Sequence, residues 1–429
     1  MPPTTTTLIC TVGGSHQPIV RAVNELQPDY VCFVCSEDDP ATGNKGSYVQ
    51  ITGKGNIIKA RREDDKPSLP NIPAQTGLAE DQFEALRVQA DDFDDVYRQV
   101  SHWLTTHNHD QERIVADYTG GTKTMTAALV AAALDDEGVE LQLVTGSRAN
   151  LISVESGSEQ AIPASVEATR FRRRLREATE AWSRFAYDET EAMLARIRPP
   201  RESGLRGEYQ RARDLSRAFT AWDRFDHAAA KRIVDRYRRL LGPTLGPLLN
   251  HLDLLNRDVP AREPLRLFDL WRNAQRRADQ GRHDDAVARL YRLAEWSAQW
   301  LLREQADIHT ADVPKDKIPS DITLSFNHRT GQYQAGLFNA WDLAAHHIGG
   351  GLPEWWERNR ETLLNQLMAR NQSILAHGFE PLDEGAWRRF SQWIEQELIE
   401  NLLLKFTGDD RYRLKRLPEQ LPRCYPFGG

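Results

Sequence analysis

The chain has 429 residues, of which 40% are apolar and 27% charged, and a formal charge of −7. That length accommodates two or three domains with real cores, and the composition excludes disordered and fibrous classes. The longest strongly apolar run, the Ala-rich stretch around residue 130, is too short and small-sided to span a bilayer.

The beginning, Met1-Pro2-Pro3 and four Thr, lacks the basic and apolar regions of a signal peptide. Four Cys argue against a disulfide framework, so the expectation is a cytoplasmic protein with no membrane partner. Charge is unevenly spread. Residues 1–165 hold 12 Lys+Arg against 24 Asp+Glu, a balance of −12, and the remainder carries +5 with much Arg. An acidic first part is a poor host for a polyanion unless local donors override the mean; an Arg-rich second part is compatible with RNA.

Residues 1–155 alternate strand and helix. Leu8–Val12 reads as a strand, followed by the turn Gly13-Gly14-Ser15 and, after His16 and Gln17, by a helix over Pro18–Leu26 with Pro in its first turn. Tyr30–Cys35 is a second strand ending at Ser36. Cys32 and Cys35 have the CxxC spacing, but on a strand a three-residue step sends the side chains to opposite faces, so they read as strand residues. Residues 37–84 are polar and rich in Gly, Pro and Asp, hence loops or a small insertion. Leu86–Gln89 is a weak strand, and Asp94–Thr106 an amphipathic helix presenting Val96, Val100, Trp103 and Leu104.

Arg113–Tyr118 reads as a buried strand, then comes the turn Thr119-Gly120-Gly121-Thr122-Lys123, then the Ala/Leu-rich helix Thr124–Leu134. A strand, a glycine turn and a helix start aim backbone N–H groups and a positive dipole end at one spot that suits an anion, usually a phosphate. The two glycines allow close approach, and the Thr hydroxyls and Lys123 can add hydrogen bonds and charge. A tight turn with no ligand is the other reading. The stretch is not a nucleotide-hydrolysing P-loop, because Lys123 follows Thr122 rather than Gly. Val139–Thr145 and Leu151–Glu155 read as closing strands.

Repeated βα units predict a mostly parallel, Rossmann-like α/β sheet, with ligands beyond the carboxyl ends of its strands. Gly13-Gly14-Ser15, Cys35-Ser36, Thr119–Lys123 and Thr145-Gly146 all fall there. Gly13-Gly14 lacks the third spaced glycine of a dinucleotide fingerprint, which disfavours a dinucleotide-dependent enzyme.

Ser156–Ala164 looks like a linker, and beyond it the pattern is all helical. Ten of the eleven Trp lie there, a sign of helix packing. Arg170–Arg176 and Lys231–Arg239 are basic stretches, read as solvated faces or acidic-partner contacts with RNA contact as the alternative. Gly242-Pro243 and Gly246-Pro247 break the early helical run, suggesting a separate subdomain over 165–261. Leu265–Gln280, Asp284–Gln305, Tyr333–Ile348, Glu354–Leu375 and Glu384–Phe406 read as helices. Residues 307–331 form a long polar connection, a candidate mobile loop.

In the fourth of these helices, Arg370-Asn371 precedes His377 and Gly378. Arg370 and His377 are seven positions apart, about two turns, so on a helix they share a face. An Arg that holds a phosphate and a His that moves a proton are two requirements of RNA cleavage by the ribose 2′-hydroxyl. A surface Arg and a capping His is the plain alternative. No metal constellation competes: His346 and His347 are adjacent, and His107 and His109 sit in a polar loop without partners at ligand spacing.

Thr11-Val12-Gly13-Gly14-Ser15 with Pro18-Ile19, together with Asp117 to Met125, resembles the CRISPR-associated Rossmann fold (CARF). Arg370-Asn371 … His377, with six intervening residues between Arg and His, resembles the signature of HEPN ribonucleases. The order of the two, the length, and Arg282–Leu302 are similar to CARF–HEPN effector nucleases of type III CRISPR systems, over about residues 6–155 and 265–405. The resemblance implies a CARF domain at 1–160, a helical linker subdomain at 165–261 and a HEPN ribonuclease domain at 262–429. It implies a homodimer that binds a cyclic oligoadenylate of unknown ring size across its two-fold axis, at Gly13, Gly14, Ser15, Gln17, Cys35, Ser36 and Thr119–Lys123 (Gly120, Gly121 and Thr122 included). It further implies that both copies of Arg370, Asn371 and His377 cut single-stranded RNA with no metal or other cofactor, and that the CARF domain can also cut its activator slowly, with Thr119, Thr122 and Lys123 the residues to test. A non-catalytic ligand sensor with a helical interaction or regulatory module is the alternative.

Overall fold

The computed structural model describes residues 5–40, 43, 45–61, 64–107, 112–145, 160–371, 373, 375 and 378–427. The chain divides into two compact units, Met1–Arg173 and Arg174–Gly429.

Unit 1 is built on a six-stranded sheet in the order β3-β2-β1-β4-β5-β6. The strands are β1 Thr5–Val12, β2 Tyr30–Ser36, β3 Phe83–Val88, β4 Glu112–Asp117, β5 Val139–Thr145 and β6 Gln160–Ala164. β1 to β5 pair in parallel, and β6 runs antiparallel to β5. β1 and β2 are apolar on both sides, as strands covered on two faces must be. On one face Ile9, Cys32 and Val34 pack under α4 (Phe93–His107) and α5 (Lys123–Asp135) through Val96, Val100, Met125 and Leu129. On the other, Leu8, Cys10, Phe33 and Cys35 pack with Ile19 and Val23 of α1 (Gln17–Leu26). Ile51 of α2 (Val49–Thr52) and Ile72 of α3 (Ile72–Thr76) join that face. Cys32 and Cys35 therefore do point to opposite faces.

The expected closing strand Leu151–Glu155 lies outside the described residues. The expected linker over Ser156–Ala164 is partly strand: Gln160–Ala164 forms β6. As an edge strand it tolerates Pro163 and leaves Ile162 40% exposed, so it carries no buried-strand pattern.

Among the described residues, unit 2 is helical apart from one small hairpin. Its early helices are α6 (Glu167–Thr179, across the division), α7 (Tyr187–Arg196), α8 (Ser203–Asp223), α9 (His227–Val234) and α10 (Arg238–Leu255). The Gly-Pro pairs do interrupt the helical run: α10 is two helical segments meeting at a kink at Leu245, where the backbone leaves helical geometry between Pro243 and Pro247. Of the Lys231–Arg239 basic stretch, Lys231 and Arg238 bind Asp253 at 2.6 and 2.8 Å, which neutralises part of that face within the fold.

The later helices are α11 (Arg262–Asp279), α12 (His283–Ala306), α13 (Leu337–His347), α14 (Leu352–Asn371) and α15 (Glu384–Trp393). A π-helical stretch, Ile394–Leu403, joins α15 to α16 (Leu404–Thr407) inside the single helix expected there. Trp271, Trp300, Trp341 and Trp355 fill this core. Residues 307–331, read as a candidate mobile loop, are pinned: Lys317 Nζ donates to the Ala306 carbonyl at 2.8 Å, and Ile308 and Val313 are buried. Tyr333, expected in α13, instead lies in β8 (Gln332–Gln334), paired with β7 (Ser325–Asn327).

Two tethers close unit 2. One is a buried charge network in which Arg276, fully buried, donates from Nε to Asp223 Oδ1 at 2.7 Å. Asn273 donates to the same oxygen at 2.8 Å, and Arg277 pairs with the other oxygen. His227 and Trp222 bond Asp269 nearby. The other is the segment after α16. Arg272 Nε donates to the Pro418 carbonyl (2.9 Å), Arg276 to Gln420 Oε1 (2.6 Å), and Tyr187 Oη to the Pro422 carbonyl (2.8 Å). Breaking one side of a buried ion pair leaves an uncompensated charge. Asp223→Ala is therefore expected to cost about 3–5 kcal/mol in urea unfolding, with Asp223→Asn costing distinctly less.

Candidate functional site

In unit 1 the strand order reverses between β1 and β4, because β1 connects onward to β2 on one side while β4 lies on the other. A crevice opens at the carboxyl ends of such a strand pair, where open α/β sheets bind ligands. Two predicted turns meet there. A Cβ added to Gly13 would lie 2.7 Å from the Gly121 nitrogen, and one on Gly120 would lie 2.3 Å from the Thr11 carbonyl oxygen. Gly121 has φ +87°, a left-handed conformation that side chains disfavour. Glycine is thus required at these positions by contact and by backbone shape.

The Thr hydroxyls of the second turn face inward. Thr122 caps α5, its Oγ1 accepting from Met125 N–H at 3.2 Å while donating to the Ala90 carbonyl at 2.7 Å. Such a cap is worth about 1 kcal/mol. Thr119 Oγ1 accepts from the Val144 amide at 2.6 Å and bonds the Asp117 carboxyl. Asp117 is buried: it accepts from the Thr119 amide (2.9 Å) and from Gln142 Nε2 (3.1 Å). Burial pushes its carboxyl above the usual range, and these hydrogen bonds act in the opposite direction. Asp117 and Gln142 position the turn and are not among the expected ligand residues; Asp117 stands at the head of the motif, whereas Gln142 carries no signal in the sequence.

The Gly120 carbonyl accepts from Thr11 (2.6 Å) and Thr126 (2.9 Å). The outward-facing groups that remain are the turn's backbone, Lys123 and, in the first turn, Gly14 and Ser15, all exposed except the half-buried glycine backbone. Beside them an open hollow of about 580 Å³ is lined by Tyr118, Gly121, Lys123, Thr126 and Val130.

The other predicted ligand residues are placed differently. The Gly13 carbonyl accepts from Gln50 Nε2 at 2.6 Å, and Gln17 Nε2 donates to the Ala60 carbonyl at 3.2 Å. Cys35 is fully buried within the sheet, with its thiol raised far above the ordinary range by burial, so its side chain does not reach the crevice. Ser36 exchanges hydrogen bonds with Ser47, Ser36 N–H to Ser47 Oγ (2.9 Å) and Ser47 N–H to Ser36 Oγ (2.8 Å).

In unit 2, Arg370 and Asn371 stand in the last turn of α14, which ends at Asn371 rather than at the expected Leu375. The shared helical face expected of Arg370 and His377 does not extend that far, since Ser373 and Leu375 are already outside the helix. The Gly378 amide donates to the Ser373 carbonyl at 3.2 Å, folding the chain back after α14. His377 and the side chains of Arg370 and Asn371 lie outside the described residues. Leu364 and Met368 of α14 are 42% and 50% exposed, and with Tyr291, Leu337 and Phe338 they line a hollow of about 370 Å³. Among the described residues, no three His, Cys, Asp or Glu side chains converge as metal ligands would, and no helix is long and apolar enough to cross a membrane.

The chain thus places a mostly parallel Rossmann-like unit before a helical one. Residues 257–401 match the family described as the Csm6 HEPN domain. The chain is similar in fold to Enterococcus italicus Csm6, solved bound to cyclic hexa-2′-fluoro-hexa-dAMP, at a TM-score of 0.55 and 12% identity over 94% of each chain. Can2 from Sulfobacillus thermosulfidooxidans, solved with cyclic tetra-adenylate, aligns at a TM-score of 0.24 and 12% identity, over 56% of this chain and 68% of its own. No curated protein matches the sequence.

The steric closure at the paired turns generates a test. Gly120→Ala drives a methyl group into the Thr11 carbonyl and is expected to lower the melting temperature of unit 1, whereas Gly14→Ala, which meets nothing within 4 Å, is expected to leave it unchanged. Scanning calorimetry of the two variants reads the difference.

Proposed function

We propose that this protein is a cytoplasmic RNA endonuclease of type III CRISPR defence, switched on by a cyclic oligoadenylate. The observation that carries this reading is the pairing, in one chain, of an anion-type crevice at the β1/β4 switch point with a Csm6-type HEPN domain over residues 257–401. The Csm6 of similar fold is described bound to a cyclic hexanucleotide analogue, which supports a cyclic oligoadenylate as the ligand class.

In this reading residues 1–160 sense the ligand, 165–261 link, and 262–429 cut RNA. Two copies associate, and ligand docking at the paired turns shifts the population toward the arrangement in which the two HEPN sites meet. The Arg370 guanidinium then holds the scissile phosphate and neutralises it. The ribose 2′-hydroxyl attacks that phosphorus and gives up its proton, and the 5′-oxygen leaves and takes one up. His377 assists these transfers and Asn371 orients the pair. The products are a 2′,3′-cyclic phosphate and a 5′-hydroxyl, and no metal takes part. Slow cleavage of the activator, the second activity in this reading, falls to Lys123 and the turn amides, since the Thr119 and Thr122 hydroxyls are engaged by the scaffold.

The test is fluorescent single-stranded RNA with purified protein and EDTA, adding cyclic tri-, tetra- or hexa-adenylate separately. One ring size is expected to start cleavage. Arg370→Ala and His377→Ala are each expected to reduce the rate by at least ~100-fold with activator affinity unchanged; unaltered cleavage would move the site elsewhere, and binding without turnover under any condition would favour the sensor reading.

The exposed apolar edge of α14 supports a seam between copies at that helix. Met368→Asp is expected to shift the protein from dimer to monomer in analytical ultracentrifugation and to abolish activated cleavage together with it. A dimer of unaltered affinity would place the seam elsewhere.

A further inference from the structure

An acidic first part has to bind a ligand that carries one negative charge per phosphodiester. Residues 1–165 balance to −12, and most of the Thr hydroxyls that looked available at the crevice are turned inward. Many of this unit's cations are already spent: Arg21, Lys45, Arg98, Arg113 and Arg173 each pair with a carboxylate. Beyond Lys123, the positive charge must come from another part of the unit.

The segment between β2 and β3 supplies it. This insert is a folded piece: Ile58 and Leu69 pair as an antiparallel bridge, and Ile58 and Ile72 are buried against the sheet. Two glutamines fasten it to the first turn and the helix that follows. Gln50 Nε2 donates to the Gly13 carbonyl at 2.6 Å, and Gln17 Nε2 donates to the Ala60 carbonyl at 3.2 Å. The second bond sets residue 60 beside the N-terminus of α1, which starts at Gln17. Lys59 and Arg61 flank the tethered residue and are exposed. Neither side chain has an ion pair or hydrogen bond among the described residues; the nearest carboxylate contact is Asp64 Oδ2, which accepts from the Arg61 backbone amide at 2.8 Å.

We propose that Lys59 and Arg61, held at the first turn by the Gln17–Ala60 hydrogen bond, are the insert's cationic contacts to the phosphates of the cyclic oligoadenylate. This rests on the functional reading above and names a specificity wall within that same site. In it Gln17 acts by positioning the insert. Cations on the insert, added to Lys123 and the turn amides, favour a ligand with several phosphates over a single nucleotide, because each further phosphate finds its own positive partner.

The experiment measures binding of fluorescent cyclic tetra- and hexa-adenylate to the full chain between 50 and 300 mM salt, as roughly spaced steps suited to counting phosphate contacts. Variants are Lys59→Ala/Arg61→Ala, the charge-retaining Lys59→Arg/Arg61→Lys, and Arg98→Ala as a remote control. The alanine pair is expected to weaken binding of the ring that wild type prefers by about 10- to 100-fold at low salt and to flatten the slope of log affinity against log salt by roughly one unit. The charge-retaining pair is expected to stay within about threefold of wild type, and the control to match it. Equal affinity and slope in the alanine pair overturns the assignment, as does weakened binding with an unaltered slope and a lowered melting temperature. Loss of RNA affinity with activator affinity intact overturns it too, by assigning the cations to RNA. If wild-type protein binds neither ring, cyclic tri-adenylate is measured in the same way, and failure to bind all three sinks the functional reading and this one with it; binding by wild type and the alanine pair alike sinks the insert's role alone.

Discussion

Between the ends of β1 and β4 there is no room for a Cβ atom. The backbones of Gly13, Gly120 and Gly121 approach so closely that an alanine at the first or second would overlap a neighbouring main chain. The rest of the crevice follows from that contact. Because the turns are pressed together, Thr11, Thr119 and Thr122 spend their hydroxyls on the scaffold, and Asp117 is buried where its carboxyl can grip the Thr119 amide. What stays outward at the paired turns is main chain, a helix start, Ser15 and Lys123. Such a site is rigid before anything binds, which lowers the ordering cost of binding.

Unit 2 solves a different problem. Among the described residues its sheet is a two-stranded hairpin, too small to organise the helices, and it buries charge instead. Arg276 is wholly enclosed, with Asp223 and Asp269 as its counter-charges and Asn273 sharing the same carboxylate. Tryptophans fill the remaining volume. Buried ion networks are a poor source of net stability, but they penalise misregistered packing heavily.

Much of this was legible from residues alone. The strands with two apolar faces, such as Leu8–Val12 and Tyr30–Cys35, and the glycine turn before the Ala-rich helix announced themselves, because buried parallel strands and close turns constrain composition strongly. Less was legible where tertiary contact, not local pattern, decided the outcome. Gln160–Ala164 pairs as an edge strand with a linker's composition. The Thr hydroxyls looked like ligand groups because their partners, Val144 N and the Ala90 carbonyl, come from distant strand ends. Cys35 sits at a strand end that points its side chain into the core. Arg370 and Asn371, expected inside a helix reaching Leu375, stand instead in the last turn of α14, which ends at Asn371.

The segment from Pro418 to Tyr425 has one more implication. Its residues clasp Tyr187, Arg272 and Arg276, partners 235, 146 and 144 positions earlier in the chain. Contacts of such long separation form late, because a large loop must close before they are rewarded. On the ribosome, α7 and α11 are complete long before their clasp emerges, and Arg370 emerges before it as well. The helical unit therefore cannot finish assembling until translation has passed the clasp.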